Sequence, residues 1–368
     1  SIHKHCSFIL SWVICRIILP LLNYIRTASG LYGQFFEKSS TCSTSCCIEC
    51  NIRRMKTRGI LMLNVALLGC GRWGRNHLKV LASLRDRGLV NFITVVDISK
   101  DARDSATLAD ETRSSMDNVA ADFVVVATPS NLHSKQSQEL ISNGYHVLVE
   151  KPLGCCESEA AQVIASAREN GRILGVGLLL RFHPAVSLAN QMINNGELGR
   201  LQSLRFVRRT ERPAPENGNV IESLGVHAID LMCHLMSESE PSAVNTEGDE
   251  IEARIALEFP HGIEALIDVA WNASQERRSV TIVGSRAVLR FDLDIHDKVV
   301  VISDGIENEV DCAKNISPLE AELLHMISNI DNFNSGKTWT PVPDYGSALR
   351  GVRWTERAIQ KLSISRPH

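Results

Sequence analysis

Apolar and polar residues along 62–182 follow a pattern that predicts strands and helices in alternation. The run at 122–127 is short, continuous and apolar, which is typical of a parallel strand covered on both faces. The predicted strands are 65–68, 92–96, 122–127, 146–149 and 173–178, and the predicted helices are 76–87, 101–109, 134–143 and 158–170. The pattern therefore predicts an α/β domain with a parallel sheet over 62–182.

The pattern changes after Arg181. One predicted helix, 184–195, is followed by strands that alternate apolar and polar residues without crossover helices, at 201–209, 252–259, 263–271, 279–283, 287–291 and 298–302. Such a succession predicts an α+β domain with a mostly antiparallel open sheet over 183–340. One face of that sheet is free for a partner subunit, so we expect a homodimer or homotetramer. Helices at 318–332 and 344–362 are expected to pack back on the first domain, and 341–368 is assigned to a C-terminal helix.

The first 61 residues differ in composition from the rest of the chain. They hold six of the eleven cysteines and an apolar stretch at 8–25 that is broken by Arg16 and Pro20. A membrane anchor is disfavoured by Arg16, a signal peptide by the lack of a clear cleavage site, and a metal site by the lack of paired C-x-x-C spacing. We expect this Cys-rich extension to be dispensable, with the first strand starting directly after Met62; a disordered tail is the next alternative, followed by an anchor.

Composition narrows the class of protein. The formal net charge is −3 and basic residues form no long run, so we expect no nucleic-acid partner. The five cysteines after residue 61 are scattered and show no disulfide framework. We therefore expect a cytoplasmic protein whose core does not contact a membrane.

A glycine-rich turn follows the first predicted strand. Gly69, Gly71 and Gly74 have the G-x-G-x-x-G spacing, with Arg72 and Trp73 inside the turn and a helix after it. This is the dinucleotide-binding signature of a Rossmann domain, in which the phosphates lie at the helix N-terminus. Asp97 ends the second strand, where a carboxylate binds the adenosine ribose and repels a 2′-phosphate. No arginine is adjacent to Asp97, which favours NAD over NADP.

Further polar residues lie at the carboxyl ends of later strands, the edge at which such sheets bind ligands. Thr128, Pro129, Asn131 and His133 follow one strand, and Glu150 and Lys151 follow the next. His227 and Asp230 lie three residues apart on a predicted helix of the second domain.

These motifs together resemble those of the Gfo/Idh/MocA oxidoreductase family. The resemblance rests on the glycine turn, Ala127-Thr128-Pro129, Glu150-Lys151-Pro152 and Gly225-x-His227-x-x-Asp230, and it covers the chain from Met62 onward. It implies hydride transfer between a sugar or cyclitol C–H(OH) and a nicotinamide cofactor, with Lys151 and His227 as the catalytic pair. A lysine ammonium stabilises developing alkoxide charge, and a histidine takes a proton near neutral pH. Asn131 and His133 are interpreted as contacts on the nicotinamide side, and Asp230 as structural; no metal is predicted.

One position departs from the family pattern. Many members have an aspartate four residues before the motif histidine, where this chain has Ser223; Glu222 is adjacent but is expected to point elsewhere on a helix. A serine there, together with Arg181 and His183 in ArgPheHisPro, is similar to the branch that oxidises nucleotide-linked amino sugars. Arg181, His183, Ser223 and His227 are the predicted substrate residues, and Arg205, Arg208, Arg209 and Arg212 are further candidate cations.

The sequence therefore predicts an NAD-dependent dehydrogenase that acts on a sugar, with a nucleotide sugar as the leading substrate. An inositol or free-sugar dehydrogenase and a non-catalytic dinucleotide-binding regulator remain as alternatives.

Overall fold

The computed structural model describes residues 62–216, 218–312 and 316–364. The predicted extension at 1–61 lies outside these residues, as does the end of the predicted C-terminal helix at 365–368. Within the described ranges, no helix combines the length and the apolar character needed to cross a bilayer.

The first sheet has six parallel strands in the order β3-β2-β1-β4-β5-β6. This order confirms the predicted Rossmann topology. The strands are β1 (Leu63–Leu68), β2 (Val90–Val96), β3 (Glu111–Arg113), β4 (Phe123–Val126), β5 (His146–Glu150) and β6 (Leu174–Gly177). The helices between them are α1 (Arg72–Asp86), α2 (Lys100–Asp104), α3 (Ser130–Ser142) and α4 (Glu157–Glu169).

Strand β4 shows why the strands of the first sheet have continuous apolar sequences. Phe123 and Val125 belong to the core on one face of the sheet, and Val124 and Val126 belong to the core on the other face. All four side chains are fully buried. Burying one such side chain contributes about 1.5–3 kcal/mol, so a polar residue at any of these positions would weaken the sheet that carries the site.

The second sheet has eight strands in the order β14-β13-β12-β11-β7-β10-β9-β8, and its only parallel pair in the described residues is β7 with β10. This confirms a mostly antiparallel sheet. Its strands are β7 (Leu201–Arg209), β8 (Ala243–Gly248), β9 (Glu252–Phe259), β10 (Ile263–Ala270), β11 (Arg277–Gly284), β12 (Val288–Asp292), β13 (Lys298–Ser303) and β14 (Ile306–Asp311). Along β9 exposed residues alternate with buried ones, so one face is covered and the other is open.

Helices α5 (Pro184–Asn194) and α6 (Val226–Leu235) cover the inner face of this sheet. Helix α7 (Pro318–Asn334) places apolar side chains such as Leu323 and Ile327 in the core of the first sheet. Helix α7 therefore packs on the Rossmann domain, as expected for the helix at 318–332, although it lies within the range 183–340 that is assigned to the second domain. Helix α8 (Tyr345–Ile364) contributes Val352 to the first core and Trp354 to the second, so it joins the two.

Candidate active site

The glycine turn lies between β1 and α1. Gly69 has φ +93°, and its N–H donates to the Val96 carbonyl at 2.8 Å. A Cβ on Gly69 or Gly74 would collide with backbone, in the case of Gly74 with the Gly69 carbonyl. A Cβ on Gly71 would meet no protein atom within 4 Å. The fold therefore requires glycine at 69 and 74, while Gly71 borders open space at the N-terminus of α1, where a pyrophosphate fits.

Asp97 lies at the end of β2 and closes the same turn. Its Oδ2 accepts from the Cys70 N–H at 2.7 Å, and its Oδ1 accepts from the Ser99 N–H at 2.8 Å. Each carboxylate oxygen has a further lone pair that can accept from a ribose hydroxyl. Arg103 donates through Nη1 to the carbonyls of Asp97, at 2.6 Å, and Ile98, at 3.0 Å. An arginine therefore does lie beside this loop, supplied by α2, and the sequence neighbours of Asp97 did not reveal it.

We expect Asp97→Ala to weaken NAD binding by about tenfold or more, because a charge-assisted hydrogen bond contributes about 1.5–3 kcal/mol. Discrimination against NADP should relax, since the repelling carboxylate is lost and Arg103 remains to meet a 2′-phosphate. Calorimetric Kd values for NAD and NADP measure both effects. Asp104→Ala is the matched control, because Asp104 lies on α2 and pairs only with exposed Lys100 in the described residues. An unchanged NAD-to-NADP ratio in Asp97→Ala would remove the assigned role.

Glu150 holds α1 against the end of β5. The Trp73 indole Nε1 donates to Glu150 Oε1, and His77 Nε2 lies 2.7 Å from the same oxygen. Glu150 Oε2 accepts from the Lys151 N–H at 3.3 Å. Trp73 and Glu150, both predicted as cofactor residues, thus position the turn from within the protein. Arg72 is exposed at the first position of α1, beside the open space.

The turn after β4 is tied down by His133. Its ring nitrogens lie 2.8 Å from the Pro152 carbonyl and 2.9 Å from the Thr128 carbonyl, and the residue is 2% exposed. Thr128 Oγ1 donates to Gln136 Oε1 at 2.6 Å. His133 therefore positions the Thr128 and Lys151 loops relative to each other. Pro129 and Asn131 are exposed at the start of α3. The polar side chain of Asn131 is therefore accessible to a ligand.

Lys151 is partly buried, and its Nζ donates to the Ser223 carbonyl at 2.8 Å. Burial lowers the pKa of the Lys151 ammonium to about 8; the charges of Arg208 and Arg72 act in the same direction, and Glu150 opposes them. Near neutral pH the side chain is therefore mostly a cation. The backbone carbonyl of Ser223, rather than its hydroxyl, is the group that orients it.

His227 lies at the start of α6 and is 6% exposed. Burial, followed by the charges of Lys151 and Arg208, lowers the pKa of His227 well below 6.5. The imidazole is therefore neutral near pH 7 and has one nitrogen lone pair that can accept a proton. Its Nδ1 is buried and has no hydrogen-bond partner among the described residues. A cationic lysine and a neutral histidine thus come together from two domains at one edge of the Rossmann sheet.

A π-helical turn at Ile221–Gly225 adds a residue that the sequence did not predict for the site. The Val226 N–H bonds to the Ile221 carbonyl, five residues back, and the wider turn brings Glu222 round toward the Rossmann domain. Glu222 Oε1 accepts from Ser130 Oγ at 3.1 Å, and its charge acts on Lys151. The expectation that Glu222 points elsewhere is therefore wrong, because it assumed α-helical spacing.

Arg181 and His183, both predicted as substrate residues, lie in the protein interior. Arg181 forms a bidentate ion pair with Asp230, at 2.8 and 2.7 Å, and also donates to Glu238 at 2.7 Å. His183 caps the N-terminus of α5, and its Nε2 lies 3.2 Å from the Leu293 carbonyl. These contacts make Arg181 and His183 structural and do not bring them to Lys151, contrary to their prediction as substrate residues. Asp230, which is predicted to be structural, lies in this buried ion pair.

The fold and the site together define an oxidoreductase with an NAD-binding Rossmann domain. The residues fit the cofactor, because the space beside Gly71 and the free lone pairs of Asp97 are complementary to a pyrophosphate and a ribose. The chain belongs to the Gfo/Idh/MocA family. Residues 63–178 match the model described as "Oxidoreductase family, NAD-binding Rossmann fold", and residues 186–290 match "GFO/IDH/MocA C-terminal domain".

Relatives extend over different parts of the chain. Inositol 2-dehydrogenase 2 from Saccharopolyspora erythraea is 26% identical over 186 residues, which are 48% of this chain and 55% of that protein. Glucose-6-phosphate 3-dehydrogenase from Bacillus subtilis is 22% identical over 353 residues, 83% of this chain and 98% of that protein. The solved structure of UDP-N-acetylglucosamine 3-dehydrogenase from Acidithiobacillus ferrooxidans is similar with a TM-score of 0.70 at 20% identity, covering 83% of this chain and 99% of that one. At this identity the structural likeness shows the fold alone.

Proposed function

We propose that this protein is an NAD-dependent dehydrogenase that acts on a nucleotide-linked sugar. It oxidises a hydroxyl group of the sugar to a carbonyl group or catalyses the reverse reduction. The observation that carries the proposal is the meeting of cationic Lys151 and neutral His227 beside the dinucleotide turn. The names of two relatives, a sugar-phosphate 3-dehydrogenase and a UDP-sugar 3-dehydrogenase, support a sugar attached to a phosphoryl group.

The chemistry follows from the charge states. In the oxidising direction the neutral His227 ring takes the hydroxyl proton, because an alkoxide is a better hydride donor than an alcohol. The Lys151 ammonium donates a hydrogen bond to the same oxygen and stabilises its developing negative charge. Bound NAD supplies the hydride acceptor. The Ser223 carbonyl, from the second domain, holds Lys151 at the crevice, and the charge of Glu222 favours its protonated form.

Two alternatives differ in substrate or in class. An inositol or free-sugar dehydrogenase is supported by the inositol 2-dehydrogenase relatives. A non-catalytic regulator that binds dinucleotide is disfavoured, because a pure binder needs neither the Lys151 ammonium nor the neutral His227.

The proposal also includes the compartment and the oligomeric state. All cysteines in the described ranges are free thiols, as in a reducing cytoplasm, and the open face of the second sheet suits a homodimer or homotetramer.

The substrate class is tested by mixing the protein with NAD and a panel of UDP-hexosamines, their uronic acids, glucose 6-phosphate, free sugars and inositols. Reduced nicotinamide is followed by its absorbance. A signal with UDP-sugars alone supports the proposal, and a signal with free polyols alone favours the inositol alternative. Absence of turnover while calorimetry shows NAD binding would favour the regulator.

The pH profile of sugar oxidation tests the division of roles. We expect initial-rate kcat/KM to fall above about pH 8, because Lys151 then loses the proton with which it stabilises the alkoxide. An acidic limb from His227 should lie well below pH 6.5. Lys151→Arg should remove the alkaline limb, since a guanidinium does not titrate in this range. A rate that instead rises through pH 8 would make Lys151 the base.

A further inference from the structure

The arginines near the end of β7 differ in how their charge is compensated. Arg209, on the open face, pairs with Asp268 at 2.7 Å and with Glu252 at 2.9 Å. Arg278, on β11, pairs with Asp294 at 2.8 Å. Each of these guanidinium groups therefore has a carboxylate within the fold.

Arg208 has none. Among the residues that the structure describes, its side chain has neither an ion pair nor a hydrogen bond, although it is partly buried. It lies directly opposite Arg278 in the β7–β11 register, and like charges in that position repel. Burial, then Arg278 and Arg212, lower the pKa of Arg208 to about 10, and the charges of Asp294 and Glu276, which form no ion pair with it, act in the opposite direction. A partly buried cation without a partner costs stability, so the fold itself gains nothing from Arg208.

The direction of the Arg208 side chain relates it to the site. Leu204 and Phe206 point to the core, and Arg208 continues this row two residues further, at the end of the strand. Its charge lowers the pKa of both Lys151 and His227, so it lies near the catalytic pair.

Arg212 follows Arg208 in the loop after β7. In the described residues its guanidinium has one hydrogen bond, a long one of 3.4 Å to Thr210 Oγ1, and it forms no ion pair. The charge of Arg212 lowers the pKa of Arg208. The charge of Arg72, at the start of α1, in turn lowers the pKa of Arg212. Positive charge therefore extends from the dinucleotide turn to the catalytic pair.

We propose that Arg208, assisted by Arg212, binds an anionic group of the substrate, a phosphoryl or carboxyl attached to the sugar that reacts at Lys151 and His227. The proposal rests on the proposed dehydrogenase function and narrows its substrate class. A guanidinium binds such groups through two parallel charge-assisted hydrogen bonds. The anion would also relieve the repulsion between Arg208 and Arg278. A neutral sugar would leave Arg208 unpaired, so the site favours a substrate that carries a negative charge.

Calorimetry with inorganic phosphate tests the site without requiring turnover. The protein is saturated with NAD first, so that the dinucleotide turn is occupied, and ionic strength is held constant. We expect wild type and Arg205→Gln to bind phosphate and Arg208→Gln to bind it about tenfold more weakly or not at all. Arg205 is the matched control, because it is an exposed arginine on the opposite face of the same strand. Equal binding by wild type and Arg208→Gln, or no binding by wild type, would overturn the proposal.

Two further measurements separate binding from folding and from catalysis. The melting temperature of Arg208→Gln should be unchanged or higher, because an unpaired charge is removed; a structural role would lower it. With glucose 6-phosphate or UDP-N-acetylglucosamine, whichever is turned over, KM should rise about tenfold with little change in kcat, and Arg208→Lys should restore part of the loss. Turnover of neutral sugars alone, unaffected by Arg208→Gln, would refute the anion site and leave the dehydrogenase function intact.

Discussion

Replacing Lys151 with alanine is expected to lower kcat/KM by about 10³-fold or more while changing the affinity for NAD little. The variant loses the ammonium that stabilises the reacting oxygen and that also contributes to the low pKa of His227. The groups that fit NAD, at the glycine turn and Asp97, remain in place. With the neighbouring cation gone, the pKa of His227 should rise, which moves the acidic limb of any residual activity to higher pH.

Steady-state kinetics and NAD calorimetry on the same preparation measure this effect. Lys135→Ala is the control, because Lys135 lies on α3 with its side chain 79% exposed and pairs with Glu139 of the same helix. Wild-type turnover in Lys151→Ala would show that another group stabilises the oxygen. A parallel loss of NAD binding would show instead that Lys151 mainly holds the cofactor.

Gly71→Ala and Gly74→Ala should separate cofactor binding from folding. A Cβ at 71 enters open space, so we expect unchanged thermal stability and about 10- to 100-fold weaker NAD binding, since the methyl group occupies the pyrophosphate space. A Cβ at 74 collides with the Gly69 carbonyl, so we expect about 3 kcal/mol of lost stability.

Thermal melting and NAD calorimetry distinguish the two variants. The assigned roles require different effects in the two variants: Gly71→Ala keeps the wild-type melting temperature and binds NAD more weakly, whereas Gly74→Ala melts at a lower temperature. If Gly71→Ala binds NAD as wild type does, the pyrophosphate does not approach this backbone, and the cofactor position must be revised.

The sequence predicted the strands of the second sheet well where buried residues recur along the strand, strictly alternating in β9 and less regularly in β7. The predicted bounds 201–209 and 252–259 agree with β7 and β9. Helix α1 was predicted to start at 76 but begins at Arg72, because Gly74 resembles a loop residue although packing against Gly69 requires it inside the helix. Strands β3, β8 and β14 were missed; they are short or largely exposed, so they lack the apolar pattern on which the prediction depends.

For the site, the position of a residue can be predicted where it belongs to a local motif. Gly69, Asp97 and Lys151 each come directly after a strand of the parallel sheet, so their positions follow from topology. Arg181 could not be assigned in this way, because its partners Asp230 and Glu238 lie 49 and 57 residues away along the chain.

The position of the Glu222 side chain at the site depends on a local change from α-helical to π-helical spacing. The only local signal is Asn219, whose Oδ1 accepts from the Ile221 N–H at 2.9 Å and so starts the π-helical turn. Asparagine is common in turns, so this signal does not by itself indicate a wider helix.

The outermost strand of the second sheet has a consequence for how copies of the protein can meet. β14 is an edge strand whose side chains include exposed Glu307, Glu309 and Asp311. Glu307 pairs with Arg290 and Glu309 pairs with Lys298, so the edge carries charges of both signs. A second copy that extended the sheet here by backbone pairing would have to place its own strand beside these charged side chains, and charged edges of this kind oppose strand addition. Fibril-like growth through this edge is thereby disfavoured.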